Sequence, residues 1–222
     1  MTQTSVLLVL TGLHVESKIL EVASSAEDMD ILCAASDPSR ARLFFAERLG
    51  LPGVRRLLSF GLAGGLASEL PAGSIVIADQ VFMDGAVYHC DAAWTRQLTA
   101  MLPQARVGSV QGATTIAATL SDKHDLYLNH KALVCDMESP IVAEAAETYR
   151  LPFASLRVVC DPADFALPPA ALLPLQADGT PQLSALIRSV MRAPRQLPAL
   201  FALRRHYHQA LQSLGEAARA VV

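Results

Sequence analysis

Apolar residues along this chain follow two rhythms. Short continuous runs at 6–10, 31–35, 57–60, 74–78, 81–88, 106–110, 132–135 and 153–159 have the length and content of buried strands. Between them apolar residues recur at helical spacing, as in Leu43, Phe44 and Leu49, or Val142, Ala145, Ala146 and Tyr149. Strand and helix alternate through most of the chain, which predicts an α/β fold with a largely parallel sheet flanked by helices. Helices are expected at about 15–23, 92–102 and 121–129 as well. Beyond Asp161 the rhythm changes. Residues 164–169, with three prolines nearby and no period, read as irregular, and Asp178-Gly179 marks a turn. Two helical faces follow: Leu183, Leu186, Ile187, Val190 and Met191, then Leu200, Tyr207, Leu211, Leu214, Ala218 and Val221, interrupted by Arg204. The chain divides accordingly into an α/β domain at 1–182 and a helical extension of the same domain at 183–222.

The segment 132–161 organises the rest. It predicts strand, helix, strand, with Ser139 as N-cap, Pro140 in the first turn, and Arg150-Leu151-Pro152 as the stop. Read as a parallel, right-handed βαβ unit, it brings both strand exits to one sheet edge. Such an edge is where open α/β sheets bind ligands. Glu138 and Asp161, one after each strand, are therefore expected to face one pocket.

Other candidates are less specific. Glu16 lies in the first turn of its helix, where a carboxylate complements the helix dipole whatever else it does. In SDPSR at 36–40, Asp37 caps a helix and Pro38 starts it; Arg40 beside that terminus suits an anion, or simply solvent. Gly61, Gly64 and Gly65 predict a backbone that turns tightly or approaches a ligand closely. Neither the dinucleotide-binding nor the P-loop glycine spacing is met there.

Composition narrows the function. With 52% hydrophobic residues the core is ample, while a net charge of −3 and 5% aromatic residues give nucleic acid neither an electrostatic nor a stacking platform. Cys33, Cys90, Cys135 and Cys160 are scattered and read as buried thiols, and the six histidines form no metal spacing. No signal peptide or membrane-spanning run is expected, which points to the cytoplasm. From Leu183 onward six arginines face one acid, Glu216. These basic amphipathic helices suit either anionic lipid, as a peripheral contact at the inner membrane, or packing on the core or a second subunit.

Three stretches, SFGLAGGL (59–66) with PAGSIVIADQVF (71–82), VCDMES (134–139) and LRVVCDPAD (156–164), together resemble the purine nucleoside phosphorylase and methylthioadenosine/adenosylhomocysteine nucleosidase superfamily. The tail CDPADFALPPAALLPLQADGT with its Arg-rich helix looks like the hopanoid-associated phosphorylase branch, which is understood to remove adenine from adenosylhopane. The resemblance implies that Glu138 accepts hydrogen bonds from the ribose hydroxyls, that Met137 floors the sugar, and that Asp161 is the general acid at purine N7. Thr115 and Ile116 would line the base pocket, and Gly64-Gly65 would back base and ribose. It also implies a homo-oligomer, at least a dimer, and no cofactor beyond inorganic phosphate as co-substrate. Gly12 and Arg40 are the expected phosphate-binding residues.

Two departures leave the nucleophile open. Ser59 and Leu62 stand where phosphorolytic relatives often have an Arg and a Ser or Thr, and Glu16 matches the glutamate with which nucleosidases activate water. The branch resemblance favours phosphorolysis. The alternatives are a hydrolytic nucleosidase and a non-catalytic purine-binding subunit, the last disfavoured by retention of both carboxylates.

Overall fold

The computed structural model describes residues 6–24, 29–35, 37–173 and 183–221. The strands are β1 (Val6–Thr11), β2 (Met29–Cys33), β3 (Val54–Gly65), β4 (Ile75–Met83), β5 (Ala86–His89), β6 (Arg106–Gly112), β7 (Val134–Asp136) and β8 (Phe153–Asp161). The helices are α1 (His14–Ala23), α2 (Pro38–Leu49), α3 (Ala92–Met101), α4 (Leu120–His130), α5 (Ser139–Tyr149), α6 (Leu183–Arg192) and α7 (Leu197–Val221). The expected class holds: one mixed, largely parallel sheet between helices, with a C-terminal helix.

One central strand dictates the geometry. The first part of β3 pairs in parallel with β1 and β8, and its last residues pair antiparallel with β7. Because β8 also pairs with β4, β4 with β6, and β6 with β7, the ladder returns to β3 and closes a five-stranded ring. Strands β2 and β1 extend from it on one side and β5 on the other.

This corrects the expected βαβ unit. Strands β7 and β8 are not neighbours, and both ladder paths between them make them antiparallel. Their exits meet for another reason: Gly64 opposes Cys135 in one ladder and Asp161 in the other. Two further readings change. The glycine segment 61–65 is strand, not loop, because its ladder partners continue through it. The separate runs at 74–78 and 81–88 are one strand and a hairpin, turned at Asp84 and Gly85, which both have positive φ.

Helices cover both faces. Ala41, Phe45 and Leu49 of α2 and Ile141, Val142 and Ala146 of α5 bury against Leu8, Leu10 and Val134. Opposite them, Leu20 of α1, Trp94 and Leu98 of α3, and Ala210, Leu214, Ala217 and Ala218 of α7 bury against Val9, Leu58, Phe60 and Leu156. Each large apolar side chain so buried contributes about 1.5–3 kcal/mol relative to exposure. The seam of α7 is thus an intramolecular contact, and its small residues let the helix lie close on the sheet. Among the described residues, no helix is long and apolar enough to cross a membrane, and the turn expected at Asp178-Gly179 lies outside them.

Candidate active site

A cavity of about 750 Å³ opens where the ring closes, lined by Gly64, Thr115, Ile116, Met137, Glu138 and Asp161 among others. Six of the sequence-predicted residues therefore line one cavity. On the far side, Leu167, Leu173, Leu200, Leu203 and Tyr207 make it predominantly apolar, and α7 supplies three of those five. The other predicted residues lie elsewhere. Gly65 is packed behind the wall, where a Cβ would stand 3.1 Å from Val159 Cγ1 and 3.2 Å from the Pro162 backbone.

Glu16 is 2% exposed and sits behind Leu13 and Leu62, which line the cavity. Its Oε2 accepts from the Gly12 and Leu13 amides and its Oε1 from the Leu62 amide, each at 2.8 Å. Burial pushes its pKa up, while the amide bonds and nearby Arg157 pull it back. Two carboxylates, Glu16 and Glu138, explain two glycines. A Cβ on Gly61 would stand 2.7 Å from both Glu16 oxygens, and one on Gly12 would stand 2.9 Å from Glu138 Oε1. The strand therefore runs close to the protein's own carboxylate. Arg40 joins none of these groups. It caps over Phe44 on exposed surface, because its helix follows β2, two strands out from β3.

Beneath Glu138 lies a buried polar cluster that sequence reading passed over. Arg157 of β8, fully buried, pairs with Asp136 Oδ2 at 2.6 Å and lies 3.7 Å from Glu138 Oε2. It also donates to Ser59 Oγ, and Ser139 Oγ donates to Asp136 Oδ2 at 2.5 Å. Asp136 Oδ1 accepts the Glu138 and Ser139 amides at 2.9 and 2.7 Å. The N-cap position of α5 is Glu138, whose side chain makes no capping bond. Asp136, two residues earlier, takes the first amides of the helix, and the expected cap, Ser139, is the first helical residue and serves the cluster instead. The signal was present: an arginine inside an otherwise apolar strand must be paired. Ser59, noted as a departure from phosphorolytic relatives, is spent on this arginine.

Burial, opposed by Arg157 and reinforced by Asp136 and Glu16, pushes Glu138 up to about 7. The ionised carboxylate is acceptor-only and suits two vicinal hydroxyls. Nucleoside binding is therefore expected to tighten as pH rises through about 7, measured by calorimetric titration. Glu138→Gln should flatten that dependence and lose about 1.5–3 kcal/mol of binding. A wild-type affinity independent of pH would remove Glu138 from ribose recognition.

Asp161 is likewise raised by burial, against the pull of Lys123, whose Nζ lies 2.7 Å from Asp161 Oδ2. The thiols of Cys135 and Cys160 beside it are pushed up to about 12 by burial, so they stay neutral. Among the described residues no cluster of His, Cys, Asp or Glu has the makings of a metal site.

A carboxyl kept ready to hold a proton and a second carboxylate lining the same largely apolar cavity equip this site for acid-assisted cleavage of a nucleoside-sized molecule. The chain belongs to the phosphorylase superfamily, whose model matches residues 4–189. It is an enzyme of the nucleosidase and nucleoside phosphorylase class. It is 29% identical over 157 residues to the futalosine hydrolase of Streptomyces coelicolor, covering 60% of this chain and 67% of that one. Its fold matches the 5′-methylthioadenosine/S-adenosylhomocysteine nucleosidase of Neisseria meningitidis with a TM-score of 0.73 at 13% identity, over 98% of each chain. The futalosine hydrolase of Helicobacter pylori matches with a TM-score of 0.69 at 13% identity, also over 98% of each chain.

Proposed function

We propose that this protein hydrolyses the N-glycosidic bond of an adenine nucleoside bearing a bulky, apolar 5′ substituent. The observation that carries the choice of water over phosphate is the Glu16 carboxylate. It occupies the amide hydrogens of Gly12, Leu13 and Leu62, the donors with which this wall would otherwise hold an anionic co-substrate. Ser59 is committed to Arg157, and Arg40 stays outside the cavity. The hydrolase names of the relatives support the same choice. Glu16 Oε1 keeps a lone pair free, which suits a base acting on a water that reaches past Leu62.

The steps follow from the residues. Glu138 holds the ribose hydroxyls and Met137 underlies the ring. As the bond from C1′ to the purine lengthens, Asp161 gives its proton to N7, so the base leaves neutral. Water, losing its proton to Glu16, adds to C1′. The apolar far wall, from Leu167 to Leu203, takes the 5′ substituent. The finer likeness to the hopanoid-associated branch rests on a tail whose residues 174–182 lie outside the described ones; adenosylhopane is the extreme case of the same substrate class.

The test is adenine release from methylthioadenosine and from a 5′-alkylthio homologue with a longer chain, each with and without phosphate. Equal rates in both buffers, free sugar as product, and preference for the longer chain are expected. Glu16→Gln should lower kcat roughly 10²-fold or more. A phosphate-dependent rate that yields sugar 1-phosphate would establish phosphorolysis instead.

A further inference from the structure

Lys123 is 1% exposed, on α4 behind the cavity wall, and nothing in the proposed mechanism uses it. Burying an ammonium is costly unless every proton is placed. Here the surroundings place them all. Nζ lies 2.7 Å from Asp161 Oδ2 and donates to the backbone carbonyls of Asp161, Pro162 and Phe165 at 3.0, 2.7 and 3.0 Å. The same cation thus grips the side chain of Asp161 and closes the turn that follows it. With Oδ2 held, Oδ1 is the oxygen left for a ligand in the cavity that Asp161 lines. Helix α4 is itself fixed at its start by a reciprocal cap between Thr119 and Asp122, so the lysine enters from a rigid element.

We propose that Lys123 is the positioning residue of the general acid: it fixes which Asp161 oxygen meets the purine and supplies the positive charge against which the proton is released. This rests on Asp161 being the acid. Burial alone would leave a carboxyl that holds its proton too firmly to donate it well. A cation at 2.7 Å makes it a stronger acid without exposing it to water. The other groups facing Asp161 do not substitute for it. Cys135 of β7 and Cys160 of β8 are neutral thiols. His206 of α7, which pulls in the same direction as Lys123, is packed edge-on to Phe165 at 5.0 Å and makes no direct pair with Asp161.

The experiment follows the Asp161 carboxyl by carbon NMR titration, assigned with Asp161→Asn, in wild type, Lys123→Gln, Lys123→Met and Lys123→Arg. Alongside it runs the pH profile of kcat/KM for adenine release. Activity needs the protonated form, so it falls as pH rises through the Asp161 pKa. Removing the cation raises that pKa, so Lys123→Gln and Lys123→Met should move both the titration midpoint and the alkaline limb upward by about 1–3 pH units. Their kcat should fall, with KM nearly unchanged, and Lys123→Arg should keep the wild-type midpoint. Gln retains donors for the carbonyls, so it serves if Met fails to fold. A midpoint and limb that stay in place while only the melting temperature drops would make Lys123 a structural clamp. The NMR titration reads the pairing even if the nucleosides tried are not substrates, which separates failure of this proposal from failure of the functional one.

Discussion

Asp161→Asn is expected to lower kcat for adenine release roughly 10²–10⁴-fold with little change in fold. An amide N–H is far too weak an acid to transfer its proton to N7, so adenine would have to leave as an anion. The substitution is nearly isosteric, and the Asn oxygen still accepts from Lys123 Nζ, so the turn at 161–165 keeps its three carbonyl contacts. Circular dichroism and nucleoside binding should therefore match wild type while turnover collapses. A variant that keeps most of its turnover would assign the proton to another group.

The second large effect concerns stability. Arg157→Met removes the cation from a cluster in which Asp136 is nearly as buried as the arginine itself. Breaking one side of a buried pair typically costs about 3–5 kcal/mol, because the other charge is stranded. Chemical denaturation should show that loss, and Asp136→Asn in the same chain should restore much of it, since an Asn oxygen still accepts the Glu138 and Ser139 amides. If the double variant is no more stable than the single one, the packing of the Arg157 stem matters more than its charge.

The sequence announced the strands and helices because their periods are local, and it placed Glu138 and Asp161 together because the two strand exits were readable. It did so through a mistaken step. A parallel βαβ unit was the economical inference, whereas the ring is closed by pairings between residues far apart, which no local pattern encodes. The caps show the same division. Asp37 accepts the Arg40 amide at 3.0 Å as its spacing predicts. Ser139, with equally good credentials, is taken by tertiary partners. Lys123 was invisible for a related reason: on α4 it stands among Ser121, Asp122, His124 and Asp125, a run that reads as a solvated face. Its acceptors belong to a turn 38 to 42 residues further on.

Gly64, shared by two ladders, has a consequence in time. The pairing of Gly64 with Asp161 joins parts of the chain separated by nearly half its length. The β4–β5 hairpin and the β1–β2 pair need far less of the chain to meet. Contacts of long separation close late, since the loop entropy must be lost before they contribute. An unfinished molecule can thus possess most of its strands and helices while Asp161 and Glu138 remain strangers. On refolding, turnover is therefore expected to recover last, after a spectroscopic signal of helix has returned.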